Sequence, residues 1–506
     1  MTLIPLDIPS FNTDKVDEFI WPVSYRKYDF LSYGFVDEML KILENQEGFI
    51  KTALTCKLSD ILIDIGHVAR QAIEIQEIHI SGNDIIYDVG ASPTIDWLLG
   101  GGGQVVRHNR YRSYKDKALI YARYLKRVMA GSITPSDDVY NAISFNCLMK
   151  EHISAENLIT TNMLVEFYLS SKPKRSVSIS KDISSAIYAA LGNIYEFEYS
   201  VERAVYEIVD YHLGQALGDI EYLKKSKLSR AMGKGLLSGT PKYEGRVLGW
   251  YFQDNGREVI RHAHGGERVF YNDYIWPIAE LPYCSSYYAH SKIEAKNMEQ
   301  RIKNGDYAAI PEMKHIKFNS LGSLKHKEIY KNAKSNAQKS KNLVYVSGVY
   351  LGDLAPNFPS FKTPDSMYFD FQIRLLKFLK NEGWKVVAKP HPKGLYNPAK
   401  LLEPYVDEIV VSQFDPNNFD AEIFLFDFAG TAFFDALASK QRTVLLNLGN
   451  RPLDNNERKI LEKRCSIRDC DFDDYGRINL NQASVAVAIE NAPRGGFDDF
   501  IKRYAY

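Results

Sequence analysis

The stretch AEIFLFDFAGTAFFDALASKQRTVLLNLG, Ala421 to Gly449, reads as strand, sharp turn at Gly430, helix, and strand again. Its first and last runs are apolar without alternation, the pattern of strands covered on both faces. A strand, a helix and a second such strand make a βαβ unit, and βαβ units build parallel sheets. The same order extends in both directions. NLVYVSGVYLGD (Asn342 to Asp353) predicts a buried strand ending in a loop. SMYFDFQIRLLKFLKNEG carries apolar residues at helical spacing, with Gly383 as its stop. GWKVVAKPHPKGLY predicts a strand over Trp384 to Ala388, EIVVSQF (Glu408 to Phe414) another, and DNNERKILEKR a helix. Right-handed crossovers then bring every strand's C-terminus to one edge, where ligands of such sheets bind.

A second unit of this kind lies earlier. KGLLSGT (Lys234 to Thr240) is strand-like, PKYEGRVLGWYFQDNG fits a helix entered at Pro241 and left at Gly256, and REVIRHAHGGE (Arg257 to Glu267) returns as a strand into a Gly-Gly loop. LKHKEIYKNAKSNAQKSK carries six Lys against one Glu and little apolar periodicity, so it is expected to be a solvated connection or a plain surface helix. Nearer the start, DILIDIGHVARQAIEIQEIHISGNDIIYDVG contains strand-like runs, and SVERAVYEIVDYHLGQALGDIEYLKK is an amphipathic helix. LLGGGGQVV, with Gly100 to Gly103, fits neither phosphate-loop fingerprint and reads as a lid or linker. The expected division is 1–290, an α/β unit with helical additions; 291–341, a charged connection; 342–490, a second α/β unit; and 491–506, a C-terminal helix returning to the first unit.

Length supports this division, since 506 residues exceed a single ordinary core. Lys plus Arg and Asp plus Glu balance at 63 each, so no global field favours nucleic acid, and an anionic ligand needs a local pocket. The five cysteines, Cys56, Cys147, Cys284, Cys465 and Cys470, form no CxxC pair, which fits a reducing compartment without a disulfide framework. No signal peptide and no apolar run of membrane-spanning length is read.

Lys389, His391 and Lys393 gather three cationic side chains around Pro390 and Pro392 at a strand's end. That is costly unless an anion sits there, although an isolated His-Pro pair is as often a half-exposed loop histidine. Gly430 and Thr431 open a helix, whose free N–H groups suit an anion; an ordinary cap is the plainer reading. Ser347 and Gly348 offer a third loop on the same edge. In the other unit His262 and His264 fall at i and i+2 on one strand face. No third ligand follows at a recognisable spacing, so no metal is expected. His264, nearer the Gly265-Gly266 break, suits acid–base work, and His262 suits a packed core. Glu267 and Arg268 follow as loop charges in position to orient a substrate. Tyr-rich YCSSYYAHSK (Tyr283 to Lys292) suits either sugar stacking or a core.

The HGG strand end, the later His391-Pro392 pair and the Gly430-Thr431 helix start together resemble GT-B glycosyltransferases over Lys234 to Asn491. The closer likeness is to bacterial surface-polysaccharide enzymes that use CMP-activated ulosonic acids: the Kdo transferases and the HP-motif sialyltransferases. CDP-glycerol phosphotransferases share a similar late pattern. The resemblance implies an α/β, GT-B-like fold, two Rossmann-like domains with parallel sheets facing a central cleft. It implies a metal-independent glycosyltransferase without a cofactor beyond its nucleotide-sugar donor. It also implies that His391 and Pro392 contact the cytidine nucleotide and that Gly430 and Thr431 hold phosphate or sugar carboxylate. His264 would lie across the cleft, near the reacting centre, with Glu267 as a second catalytic candidate, and the acceptor would be a glycan or lipid-linked glycan. The expected location is the cytoplasm, either free or at the inner face of the membrane. The acidic motif of the sialyltransferases has no clear counterpart: Asp84 and Asp88, or Glu196, Glu198 and Glu202, are the nearest. A CDP-alcohol phosphotransferase and a non-catalytic nucleotide- or sugar-binding module are the alternative readings.

Overall fold

A computed structural model describes residues 2–24, 26–32, 34–89, 92–100, 137–162, 177–197, 201–225, 232–239, 242–272, 275–310, 313–333, 340–350, 363–392, 397–495 and 498–506. Gly101 to Gly103, Glu198, Thr240, Pro241 and Lys393 lie outside them. A small two-stranded parallel sheet pairs β1 (Leu3–Pro5) with β2 (Asp84–Ile86). The first large sheet holds β3 (Tyr140–Ile143), β4 (Thr160–Asn162), β5 (Gly235–Ser238), β6 (Glu258–His262), β7 (Ser286–Ala289) and β8 (Lys317–Ser320), in the order β4-β3-β5-β6-β7-β8. The second holds β9 (Asn342–Val346), β10 (Lys385–Lys389), β11 (Glu408–Ile409), β12 (Ile423–Phe426), β13 (Arg442–Asn447) and β14 (Ser466–Asp469), in the order β11-β10-β9-β12-β13-β14. Every pairing in both sheets is parallel.

The second sheet is doubly wound. The chain builds outward from β9 to β11, then restarts beside β9 with β12. Between β9 and β12 the strand order reverses, the position at which ligands of such sheets bind. The first sheet has its own reversal between β3 and β5. Helices cover the faces because the central strands, such as β5, β9, β12 and β13, are apolar and buried. Leu343, Tyr345, Ile423 and Leu425 look to one side of the second sheet, and Val344, Val346, Phe424 and Phe426 to the other, where a separate apolar cluster forms. Helix Asp365–Asn381 ends where Gly383 adopts φ +78°, a left-handed stop that glycine takes without steric cost.

Three sequence expectations are corrected. The strand-like runs of 60–90 form most of a single helix, Gly48–Ile80, with only Asp84–Ile86 extended. This helix packs against helix Val201–Lys225 and other neighbours, burying Leu54, Ile61, Ile65, Val68, Ile73 and Ile78 around its circumference. A helix apolar all round loses the 3.6-residue signature that marks a surface helix. The charged connection of 291–341 instead carries helix Lys292–Asn304 and the edge strand β8, while LKHKEIYKN forms a surface helix, one of the two forms expected of it, over Leu324–Asn332, burying only His326 and Ile329. Finally, EIVVSQF supplies just two strand residues, Glu408 and Ile409.

The chain ends tie the lobes together. Near the start, Phe11 packs edge-on to Phe369, Arg477 Nη2 donates to the Val16 carbonyl at 3.0 Å, and Arg477 pairs with buried Asp370 at 2.6 Å. The C-terminal helix Asp498–Tyr504 inserts Phe500 and Tyr504 beside Phe270 of the first lobe and Phe434 of the second. Among the described residues no helix is long and apolar enough to cross a membrane.

Candidate functional site

Lys389, Val346 and Phe426 are in register across β10, β9 and β12, so three loops leave the second sheet at one level. Lys389 is 4% exposed. Its Nζ donates to the Pro390 carbonyl at 3.0 Å, and the described residues bring no carboxylate to it. Burial lowers its pKa below the usual lysine range. On the adjacent strand, the buried Ser347 donates its backbone N–H to the Lys389 carbonyl at 3.3 Å; its hydroxyl makes no hydrogen bond among the described residues. Gly348 N–H donates to Asp427 Oδ1 at 2.8 Å. His391 is half-buried and Pro392 exposed just beyond.

Asp427 is buried directly after the last residue of β12, at the point where the strand order reverses. Its Oδ2 accepts from the Tyr368 hydroxyl at 2.7 Å and from the Tyr345 hydroxyl. Gln372 Nε2 donates to Tyr345 Oη at 2.8 Å and accepts from Tyr350 through its own Oε1. Burial pushes the Asp427 carboxyl up to about 6, against the pull of these donors.

The first lobe's edge is held by Asn146, the cap of helix Cys147–Ala155. Its Oδ1 accepts from Met149 N–H at 2.8 Å. Its Nδ2 donates to the Gly239 and Ala263 carbonyls at 2.6 and 2.9 Å, tying the ends of β3, β5 and β6. His262 is buried, with Nδ1 3.3 Å from the Ser238 carbonyl and Nε2 2.8 Å from His152 Nδ1. A carbonyl only accepts, so His262 carries its proton on Nδ1 and takes a hydrogen bond from His152. Burial, then the neighbouring His152, brings the His262 pKa down to about 3. His262 is thus a neutral core group. His264 lies beyond the strand, not on its face, and is exposed.

The two edges meet. Glu267, expected to be a loop charge, is buried, and its Oε2 accepts from the Thr431 hydroxyl at 3.3 Å across the lobes. Gly266 lies against the Phe434 ring so closely that a Cβ there would enter it. Tyr271 Oη donates to the Ala429 carbonyl at 2.6 Å, and Asp454 N–H donates to the Phe270 carbonyl at 2.8 Å. Asp435, on the second lobe's helix Thr431–Leu437, receives Lys325 Nζ at 2.7 Å and His326 Nε2 at 3.1 Å. Glu151 of the first lobe in turn accepts the Leu324 and Lys325 N–H groups. Two doubly wound lobes with their carboxy-terminal strand edges in contact make the GT-B-like arrangement.

Of the residues picked from sequence, Lys389, His391, Pro392, Ser347, Gly348, Gly430 and Thr431 belong to neighbouring loops of one edge, and His264 and Glu267 stand on the facing one. Thr431 spends its hydroxyl on Glu267. Arg268, also buried, pairs with Glu280 at 2.6 Å and lies 3.5 Å from the Trp276 ring centre. Tyr287 is core, its hydroxyl on Glu280 at 2.7 Å. Asp84 and Asp88 lie on or just after β2, and Glu202 opens helix Val201–Lys225; none belongs to a six-stranded sheet. Sequence reasoning passed over Asp427, Asn146, His326 and Asp435. Asp427 directly follows a strand-like run, and Asn146 stands three residues past the end of β3 as a helix cap; a polar residue at such a place is the signal that marks them. Among the described residues no group of three or more His, Cys, Asp or Glu is disposed to hold a metal ion.

No protein-family model matches the chain, and no curated protein matches it. Solved structures similar to it include UDP-GlcNAc 2-epimerase of Methanocaldococcus jannaschii in complex with UDP-GlcNAc and UDP, at 10% identity and a TM-score of 0.38, over 70% of this chain and 91% of that one. Phytolacca americana UGT2, complexed with UDP-2-fluoro-glucose and pterostilbene, is similar at 8% identity and 0.35, over 70% and 89%. A UDP-glucosyltransferase of Polygonum tinctorium capable of glucosylating indoxyl, in complex with 3,4-dichloroaniline, is similar at 10% identity and 0.34, over 73% and 91%.

Proposed function

We propose that this protein is a glycosyltransferase that takes a sugar from a nucleotide donor bound at the β9–β10–β12 edge. The observation that carries this reading is the buried Lys389, without a carboxylate partner among the described residues, beside the uncommitted Ser347 hydroxyl. A buried cation with no counterion is costly, and a bound phosphate removes that cost. An acceptor hydroxyl attacks the anomeric carbon, the bond from that carbon to the phosphate oxygen breaks, and its electron pair stays on the phosphate. Lys389, Ser347 and His391 stabilise the charge that develops there. His264, exposed on the facing edge, takes the acceptor proton. Glu267, held by Thr431, orients the sugar from the crevice wall.

The finer proposal is a CMP donor carrying a Kdo-like or sialic-like acid. Neighbouring strands stand about 4.8 Å apart, so Ser347 and Lys389 span a single phosphate group. The acceptor is a glycan, free or lipid-linked. Calorimetric titration with CMP, CDP, UDP and GDP tests the reading. CMP binding that is lost in Lys389→Met supports it. Binding of UDP or GDP with none of CMP overturns the donor, and failure of all four overturns the site. With a CMP-sugar and an acceptor, a glycosidic product is expected; a phosphodiester product would instead mark a CDP-alcohol phosphotransferase.

A further inference from the structure

The groups proposed to meet the donor phosphate do not position themselves. Ser347 and Gly348 are the first residues after β9; the Ser347 N–H is held by the Lys389 carbonyl at 3.3 Å, and two residues this small contribute little packing of their own. What anchors the segment further is Asp427, from the strand on the other side of the reversal point. One carboxylate oxygen takes the Gly348 N–H at 2.8 Å, and the other takes the hydroxyls of Tyr345 on β9 and Tyr368 on helix Asp365–Asn381. Gly348 lies tight against this cluster: a Cβ there would come to 3.0 Å from Tyr368 Oη and 3.6 Å from Asp427 Oδ1. Three donors converge on a single carboxylate; ionised, it accepts all three as charge-assisted hydrogen bonds, whereas protonated it must donate one bond of its own and holds the Gly348 N–H more weakly.

We propose that Asp427 is a positioning residue for the nucleotide site: ionised, it holds the Ser347–Gly348 segment so that the Ser347 hydroxyl and Lys389 Nζ face the same phosphate, and protonated, it holds that segment more weakly. This rests on the nucleotide reading of the same edge. Burial brings the Asp427 carboxyl to about 6, so the change falls in an accessible pH range. The groups facing it are Tyr345 and Tyr368, with Tyr350 behind them beside Asp365, and Cys470 beyond β14. Burial raises all three phenols well above their usual range and the thiol to about 12. Of the three phenols, the thiol and the Asp427 carboxyl, Asp427 is the one brought near pH 6.

The test compares CMP affinity of the full chain and its Asp427→Asn variant from pH 8 to pH 5. Both proteins share the titration of His391 and of the phosphate itself, so the ratio of affinities isolates residue 427. At pH 8 the wild type is expected to bind about five-fold more tightly, the worth of one hydrogen bond in such a network. At pH 5 the ratio is expected to fall toward one, because a protonated Asp then resembles Asn. A ratio of one at every pH, or a constant ratio at every pH, overturns the proposal while leaving the nucleotide site standing. No nucleotide binding by the wild type overturns the site and the proposal with it. Tyr368→Phe provides a second route. It removes one donor to the anion, so the pH at which wild-type-like affinity is lost is expected to move upward; an unchanged midpoint counts against the proposal.

Discussion

At the residue scale, the second lobe's edge carries two buried charges in the wrong medium, and both have consequences for stability. Lys389 is buried with its pKa lowered by desolvation. Its ammonium form is disfavoured by folding, so the destabilisation holds below its folded pKa and is relieved as pH rises through it. Lys389→Met is therefore expected to keep or raise the melting temperature at pH 7 while weakening CMP binding ten-fold or more, since a hydrogen bond to a charged group is lost. A lowered melting temperature with unchanged binding would refute this. Asp427 is displaced in the acid's direction: its pKa rises from an unfolded value near 3.8 to about 6. Its stabilising contribution is full below the unfolded value and lost as pH rises through 6. Wild type should thus gain stability relative to Asp427→Asn on going from pH 8 to pH 5, measured by thermal unfolding of the two proteins side by side.

At the element scale, the loop after β6 is shaped by what it must touch. Gly266 lies against Phe434 without room for a side chain, so the loop and helix Thr431–Leu437 approach as closely as backbone and ring allow. Gly266→Ala is expected to push the two edges apart, lowering turnover several-fold and the melting temperature by several degrees. Because the clash is with one ring, Phe434→Leu combined with Gly266→Ala should cost less than the two single changes summed, a coupling read in a double-mutant cycle. Additive costs would place the strain elsewhere. The strand-turn-helix order around this loop was legible in RHAHGGE and FAGTAFF, because apolar runs and glycine breaks are local signals. The burial of Glu267 was not, since a Glu after two glycines reads as a solvated charge until a hydroxyl 164 positions away is brought against it. Helix Gly48–Ile80 was misread for a related reason. Its periodicity is erased by the neighbours that bury it on several sides.

At the scale of the whole molecule, the lobes are joined by Asp435, which receives both Lys325 and His326. Glu151, from the first lobe, anchors the start of the same short helix. Asp435→Ala leaves two donors facing an empty position in a buried contact. It is expected to speed amide hydrogen exchange in residues 265–271 and 429–437 together, with a rise in the radius of gyration seen by small-angle scattering. Unchanged exchange at both edges would show that the apolar contacts of Phe270, Phe434, Phe500 and Tyr504 hold the lobes closed without it.

The amino-acid order alone determined that two parallel sheets would form, that Ser347 and Lys389 would stand at strand ends, and that Thr431 would open a helix, because periodicity and glycine breaks act over a few neighbouring residues. Only the tertiary structure decided which of those ends meet, that β8 completes the first sheet, and that Asp427 is shared among β9, β12 and helix Asp365–Asn381. Those outcomes depend on burial and on partners far along the chain. A carboxylate's environment is set by the groups that desolvate and hydrogen-bond it, and a linear pattern does not carry them.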